Sequence, residues 1–573
     1  MNDVKRQSDK LANQLCEKPA SKMAGFLTSR SARIQKRSGL FIKITFKLSS
    51  RYFSSKDRYG EVKIMKRNFF QWILILSLIG QSLAAENVKP NIVLILADDL
   101  GFGDLRCYNS ESKVPTPHLD RLAREGMRFT DAHSPATVCT PTRYSLMTGQ
   151  MAFRVPRGGT VFTGAGGPSL IAPERLTLPE MLKQQGYQTA AIGKWHIGLT
   201  FRDGEGKPIH DGRLEAVQRI DFSKRVEGGP IDHGFDRFFG TACCPTTDWL
   251  YAFIEGDRIP VPPAGPIDKS KLPRHAYAND CRAGLIAPDF SMEEVDMVFL
   301  AKSREFLADH VRKSPDQPFF LYHAMQATHL PSFASRQFQG KSQAGPHGDF
   351  LAEMDFIVGQ LMDDLNRLGL AENTIVIFSS DNGPETTAVV HMRADYQHDP
   401  ARPWRGMKRD SWEGGHRVPF IVRWPGRVKA GTTSDQLISL TDVMATLAAV
   451  TGFQMPQNAA EDSFNMLPVL EGKASRPLRP YLLTQAFRGA QTLSIRRGVW
   501  KYLDHKASGG NQYENPPLKQ FSLAETEPTA NAQLYNLETD PDERLNLINQ
   551  QPEIAAELKK LLENTKKSGR SRP

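Results

Sequence analysis

Two polar pairs carry the first chemical signal: Asp98-Asp99 near the front of the chain and Asp381-Asn382 far behind it. Adjacent carboxylates repel, and each raises the pKa of the other. A divalent cation removes that cost. Oxygen donors with no thiolate or imidazole among them suit a hard ion, Ca²⁺ or Mg²⁺. Taken singly, Asp98-Asp99 reads as a cap on the next turn and Asp381-Asn382-Gly383 as a plain turn. Their shared placement, each directly after an apolar run, favours a metal centre.

A second group suits anion chemistry. Cys139-Thr140-Pro141-Thr142-Arg143 leads into Tyr144-Ser145-Leu146-Met147-Thr148-Gly149. A solitary cysteine is more often a small core residue than a nucleophile. Here Pro141 restricts the turn. The stretch after it can open a helix whose free N–H groups, with Arg143, face an anion. A nucleophile beside such a helix start fits sulfate or phosphate transfer. Lys194 and His196 follow another apolar run, and His329 follows a further one. His323, inside its run, reads as a core histidine. Lys408 stands near Arg405 and Arg409, a grouping that is ordinarily a solvated face.

These residues need a scaffold. From Pro90 to about Gly431 short apolar runs alternate with helical segments, which predicts an α/β fold with a mostly parallel sheet. The informative strands are Asn91–Ala97, about Thr189–Ile192, Phe319–Ala324 and Thr374–Ser379. A helix around Pro179–Gln185, stopped by Gly186, leads into the second. In open α/β sheets ligands bind beyond the carboxyl ends of the strands. Each of these strands delivers metal-type or acid/base residues at that end, so one polar site is predicted. Composition shifts near 475–480. Beyond it, Gln491–Ile495 and Val499–Asp504 read as a hairpin. Pro552–Lys566 reads as a helix with Leu558, Leu561 and Leu562 on one face, and the last residues read as frayed. The predicted organisation is a main domain over 86–475 and a smaller α+β subdomain over 476–573.

The ordered blocks resemble those of the type I, formylglycine-dependent sulfatases, an arylsulfatase-like group of the alkaline phosphatase superfamily. Cys139-Thr-Pro-Thr-Arg143 with Leu146-Met147-Thr148-Gly149 resembles that family's signature. Pro90-Asn91-Ile92…Asp98-Asp99-Leu100-Gly101, Gly193-Lys194-Trp195-His196-Ile197-Gly198, Asp381-Asn382-Gly383 and Gly406-Met407-Lys408…Glu413-Gly414-Gly415 resemble further blocks, as does Leu534–Pro541. The resemblance covers about residues 88–550. It departs from the pattern at Thr142, a position that is often Ser.

The resemblance implies a large, mostly parallel mixed sheet flanked by helices, with an antiparallel sheet in the C-terminal subdomain. It implies that a separate maturation enzyme oxidises Cys139 to formylglycine. One hydroxyl of the hydrated aldehyde would attack sulfur, and the other would then expel sulfate. It places Ca²⁺, rather than Mg²⁺, on Asp98, Asp99, Asp381 and Asn382, with the side chain at 139 completing the shell. Arg143 would stabilise the nucleophile. Lys194 and Lys408 would bind sulfate oxygens. His196 would take the proton in the elimination. His329 would bind substrate and protonate the leaving alcohol, with Lys408. The implied substrate is a sulfated small molecule or saccharide. The alternatives are a phosphonate monoester or phosphodiester hydrolase of the same superfamily, or a metal-containing binding protein if Cys139 is not converted.

Charge excludes one further class. Residues 1–64 hold 15 Lys/Arg against 5 Asp/Glu, which equals the whole net charge of +10. The rest is neutral, so no basic face for nucleic acid is predicted. Met65-Lys66-Arg67, the apolar run Phe69–Ile79 and the exit Gly80–Ala85 read as a signal peptide. The run is shorter than the about 20 residues of a stable membrane span. Export is expected, with residues 1–64 an upstream extension and a mature N-terminus near Ala85 or Glu86; N-terminal sequencing checks this. Export permits a disulfide of Cys243 or Cys244 with Cys281. The insertion between Phe239 and Phe290, with Trp249, Tyr251, Phe253 and Tyr277, is a candidate sugar-binding rim.

Overall fold

The continuous apolar run Asn91–Ala97 is the strand around which the protein is built. All seven of its residues are buried, as a strand flanked on both sides and covered on both faces requires. A computed structural model describes residues 89–573. The expected upstream extension and signal peptide lie outside the described residues. Among the described residues, no helix is long and apolar enough to cross a membrane.

The main sheet consists of β1 (Asn91–Ala97), β2 (Met127–Phe129), β3 (Gln188–Lys194), β4 (Arg237–Thr241), β5 (Ile254–Glu255), β6 (Phe319–Ala324), β7 (Thr374–Ser380), β8 (Phe420–Arg423) and β9 (Thr432–Ser434). Their spatial order is β9-β2-β8-β7-β1-β6-β3-β4-β5. The centre, from β7 through β1, β6 and β3 to β4, is parallel. β8 and β5 run antiparallel to their inner neighbours. This is the expected mixed, mostly parallel sheet, and it sends the ends of β1, β3, β6 and β7 to one edge.

Helices flank the sheet. Those that matter here are α1 (Cys139–Thr148), α2 (Leu178–Gln184), α3 (Val295–Lys313) and α4 (Gly345–Arg367). α2 begins with a capping box in which Thr177 and Glu180 satisfy each other's backbone N–H groups. α3 packs on β3 and β6 and against α4, burying Phe299, Leu300, Phe306 and Leu307 at helical spacing. α1 is buried along its whole length and ends at Gly149 in the left-handed conformation.

A second sheet comprises β10 (Leu482–Gln485), β11 (Leu493–Arg497), β12 (Trp500–Leu503) and β13 (Gln533–Asn536), antiparallel throughout. The predicted hairpin is its β11–β12 pair. Helix α5 (Pro552–Lys567) lays Leu558 and Leu562 on Leu493, Ile495 and Leu534. The tail is not frayed as expected. The Ser571 and Arg572 N–H groups donate to Glu461 O, and Arg572 Nε donates to Ala460 O at 3.0 Å. Arginine contacts to backbone, invisible to hydropathy, hold it down.

Two possibilities that the sequence left open are not met. Cys243, Cys244 and Cys281 are all free; Cys281 instead sits 3.5 Å from the Tyr251 hydroxyl. Tyr251, Phe253 and Tyr277 belong to the main core and form no rim. Only Trp249 remains partly exposed, with Arg282 stacked 4.9 Å over its ring.

Candidate active site

The loops after β1, β3, β6 and β7 converge on the start of α1. The β1 and β6 loops are stitched together: Asp98 N donates to Ala327 O at 3.0 Å, and Thr328 N to Asp98 O at 2.6 Å. Asp296 on α3 fixes the second loop by accepting from the Gln326 and Ala327 N–H groups, each at 2.8 Å. Gly193 is required near the end of β3. Its φ is +114°, and a Cβ there would lie 1.8 Å from Ala324 O. Asp99 and His196 both adopt φ of +59°, a left-handed state that costs a non-glycine residue about 1 kcal/mol or more and gathers at functional sites.

The two polar pairs meet. Asp99 N donates to Asp381 Oδ1 at 3.3 Å, and Asn382 Nδ2 donates to Asp99 Oδ1 at 2.7 Å. All four residues are fully buried. Arg143 lies across them: Nε donates to Asp381 Oδ2 at 2.9 Å, Nη2 to Asp98 Oδ2 at 3.1 Å and Nη1 to Lys194 O at 3.0 Å. The Lys194 ammonium pairs with Asp98. Lys408 Nζ pairs with Asp99 Oδ2 at 2.7 Å and Glu385 Oε2 at 3.2 Å. Lys408 is therefore no part of a solvated face. Arg409, its neighbour, makes a fork onto Glu385 at 2.7 and 2.9 Å.

The carboxyls respond differently to this crowding. Burial pushes Asp98 up, but Lys194 and Arg143 outweigh it and hold the group below its ordinary value. Burial, then the charge of Asp98, pushes Asp381 up to about 8. Burial likewise raises Asp99 against the pull of Lys408. A pocket that draws a proton onto Asp381 at neutral pH draws a metal cation for the same electrostatic reason.

Residue 139 opens α1, whose N-cap, Val138, offers no side chain to the free N–H groups. Hydrogen bonding with Cys244 pulls the Cys139 thiol well below its usual range; burial opposes this, and Lys194, Lys408 and His196 add to it. The two histidines flank this side chain. His196 Nε2 lies 2.7 Å from Phe162 O, so Nε2 carries the proton and Nδ1 turns to the site. Burial, then Lys194, pushes its pKa down to about 4. His329 Nδ1 lies 2.5 Å from Leu330 O, leaving Nε2 toward Cys244 at 3.6 Å and Asp99 Oδ2 at 3.8 Å. His323 is a core histidine, bonded to Ser303 Oγ at 2.8 Å.

Every sequence-predicted site residue thus falls in one buried cluster. Cys244, Glu385 and Arg409 were missed. Cys244 follows β4, and the run Arg237–Thr241 is the signal that could have located it. The insertion reaches the site through Cys244 and through Thr247, whose hydroxyl lies 3.3 Å from His329 Nδ1. The C-terminal part reaches it too. Asn511 Nδ2 donates to Lys408 O and Asp410 Oδ1, both at 2.8 Å, and the Tyr513 hydroxyl to Asp410 Oδ2 at 2.6 Å. Outside the site, Lys501 Nζ ties the C-terminal sheet to the segment after Lys408, binding Glu413 Oε1 at 3.0 Å and Glu543 Oε1 at 2.9 Å.

The residues present fit a hard divalent cation. Asp98 Oδ1 and Asn382 Oδ1 are buried oxygens with no hydrogen-bond partner, and such groups are rare without an ion or water. Charge points the same way. Asp98, Asp99, Asp381 and Glu385 face Arg143, Lys194, Lys408 and Arg409. Metal binding displaces the proton of Asp381; with all four acids then ionised, a divalent ion leaves positive charge to meet an anionic ester.

Comparison with known proteins agrees with this geometry. The family profile described as Sulfatase matches residues 90–453, and one described as N-sulphoglucosamine sulphohydrolase, C-terminal, matches residues 406–501. An N-acetylgalactosamine-6-O-sulfatase of Bacteroides thetaiotaomicron is 33% identical over 83% of this chain and 93% of its own length. Human arylsulfatase A is 34% identical over 82% of this chain and 87% of its own. A solved structure from Bacteroides thetaiotaomicron glycosaminoglycan metabolism, a 6S-sulf protein, superposes with a TM-score of 0.69 at 30% identity. It covers 84% of this chain and all of that one. With the signature helix, the converging polar pairs and matches along most of the sequence, this enzyme belongs to the sulfatase family.

Proposed function

We propose that the enzyme releases sulfate from sulfated carbohydrates, with residue 139 converted to formylglycine and Ca²⁺ held by Asp98, Asp99, Asp381 and Asn382. The observation that carries this is the contact of the two polar pairs beside residue 139, with two oxygens left unpartnered. The Cys139 thiol stands where the oxygens of the hydrated formylglycine would be. That group supplies one hydroxyl to take the sulfuryl group from the alcohol and a second whose return to the aldehyde expels sulfate. When bound, Ca²⁺ supplies Lewis-acid polarisation and orients the nucleophile.

The chain's own residues do the rest. Arg143 holds the carboxylates in place and adds positive charge beside residue 139. Lys194 and Lys408 bind sulfate oxygens as point charges. His196, neutral at working pH, presents the Nδ1 lone pair that accepts the proton of the second hydroxyl. His329 presents Nε2, which when protonated delivers a proton to the departing alcohol oxygen. Burial of the whole set keeps bulk water from competing.

The saccharide assignment draws support from the relative named N-acetylgalactosamine-6-O-sulfatase. Matured enzyme incubated with a panel of desalted sulfated saccharides, 6-O-sulfated N-acetylgalactosamine included, should release inorganic sulfate from at least one. In parallel, an aryl sulfate should react faster than the matching aryl phosphonate. A strong preference for the phosphonate overturns the proposal.

His329→Ala gives a finer test. General acid catalysis contributes about 10²–10⁴-fold, but only where the leaving group needs a proton. The variant should lose about that factor on a saccharide sulfate and far less on a nitrophenyl sulfate. Equal losses on both would remove His329 from the acid role.

A further inference from the structure

The side chain at 139 faces two chemically different walls. One is all oxygen donors. The other is sulfur and nitrogen, and the hydrolytic steps leave one of its members, Cys244, without a task. The sulfurs of Cys139 and Cys244 and a ring nitrogen of His329 lie within 4.8 Å of one another. Cys244 Sγ is 3.6 Å from His329 Nε2 and 3.8 Å from His196 Nδ1. In tetrahedral zinc sites, with Zn–S about 2.3 Å and Zn–N about 2.0–2.1 Å, the sulfur-to-nitrogen edge is about 3.6 Å. The two sulfur-to-nitrogen distances at Cys244 match that edge.

The tautomers match as well. Each imidazole gives its far nitrogen to a backbone carbonyl, His196 to Phe162 O and His329 to Leu330 O. That outer contact is the one that fixes metal-bound histidines with a lone pair toward the ion. All four side chains are buried. Thiolate and imidazole donors select a softer ion than the carboxylate wall does.

We propose that the unconverted chain, with Cys139 still a thiol, binds one Zn²⁺-class cation through Cys139, Cys244 and His329, with His196, whose Nδ1 is 3.8 Å from Cys244 Sγ, turning in as the fourth ligand. Both thiols release their protons to solvent on binding, and nothing is oxidised or reduced. Conversion of Cys139 removes one of the two sulfur ligands, so occupancy of this site and maturation oppose each other. The proposal does not depend on which ester the mature enzyme cleaves, because its test reads metal binding and not turnover.

The full chain, produced in a host without the maturation enzyme, is the sample, with excess Ca²⁺ present to fill the oxygen wall. Zinc-edge X-ray absorption on the unsubstituted protein should show two sulfurs at about 2.3 Å and two nitrogens at about 2.0–2.1 Å. Co²⁺ should give one equivalent of thiolate-to-metal absorption. Loss of an outer contact alone costs about 10–100-fold in affinity, so Cys244→Ser should weaken Zn²⁺ by at least about 100-fold. Cys243→Ser should leave the affinity unchanged. A ligand shell without sulfur, or equal Zn²⁺ affinity in folded Cys244→Ser, overturns the proposal. The absorption measurement decides even if Cys244→Ser does not fold.

Discussion

Cys139→Ala should abolish sulfate release while leaving a folded protein. Removing the nucleophile of a hydrolase costs at least about 10⁴-fold in kcat, and the proposed mechanism rests on the two hydroxyls that only residue 139 would supply. The fold should tolerate the change. Position 139 opens a fully buried helix, where alanine is the best helix former, and only a sulfur atom is lost. Turnover of a sulfated saccharide, measured with thermal unfolding of the same sample, separates the two effects. A variant that keeps more than a tenth of parental activity would rule out residue 139 as the nucleophile.

Arg143→Ala should damage stability as well as activity. Its guanidinium is completely buried and joins Asp98, Asp381 and the Lys194 carbonyl. Removing one member of a buried ion network costs about 3–5 kcal/mol, because the remaining charges stay desolvated and unpaired. Arg143→Lys should rescue little, since an ammonium cannot span both carboxylates and a carbonyl as a planar fork does. Ca²⁺ at about 100 times its Kd should restore up to about 2.7 kcal/mol by binding only the native state. Urea unfolding with and without Ca²⁺ reads all three. Parental stability in Arg143→Ala would show that the network carries no load.

The central strands were legible because each is a continuous apolar run, and β1 and β6 fall where the hydropathy pattern places them. β3 extends beyond its apolar part because Gln188 and Lys194 still pair with neighbours, which hydropathy does not register. The site was legible because the polar residues sit at strand ends, where topology gathers them. Cys244 was not. It follows an unremarked strand, and beside Cys243 it could equally have been one half of a disulfide, which sequence does not decide. Glu385 and Arg409 answer each other across 24 positions, a pairing with no local pattern. The insertion's aromatics misled for a general reason: aromatic residues fill cores as readily as they line sugar sites.

The grip of Asn511 on the Lys408 carbonyl spans 103 positions. Lysine and anchor therefore behave as a set that must be inherited together. A hybrid gene joining the front of one relative to the tail of another would keep every signature motif and still misplace the ammonium proposed to bind sulfate. In swapped chains of this kind, lost turnover would reflect a broken partnership rather than a missing catalytic part.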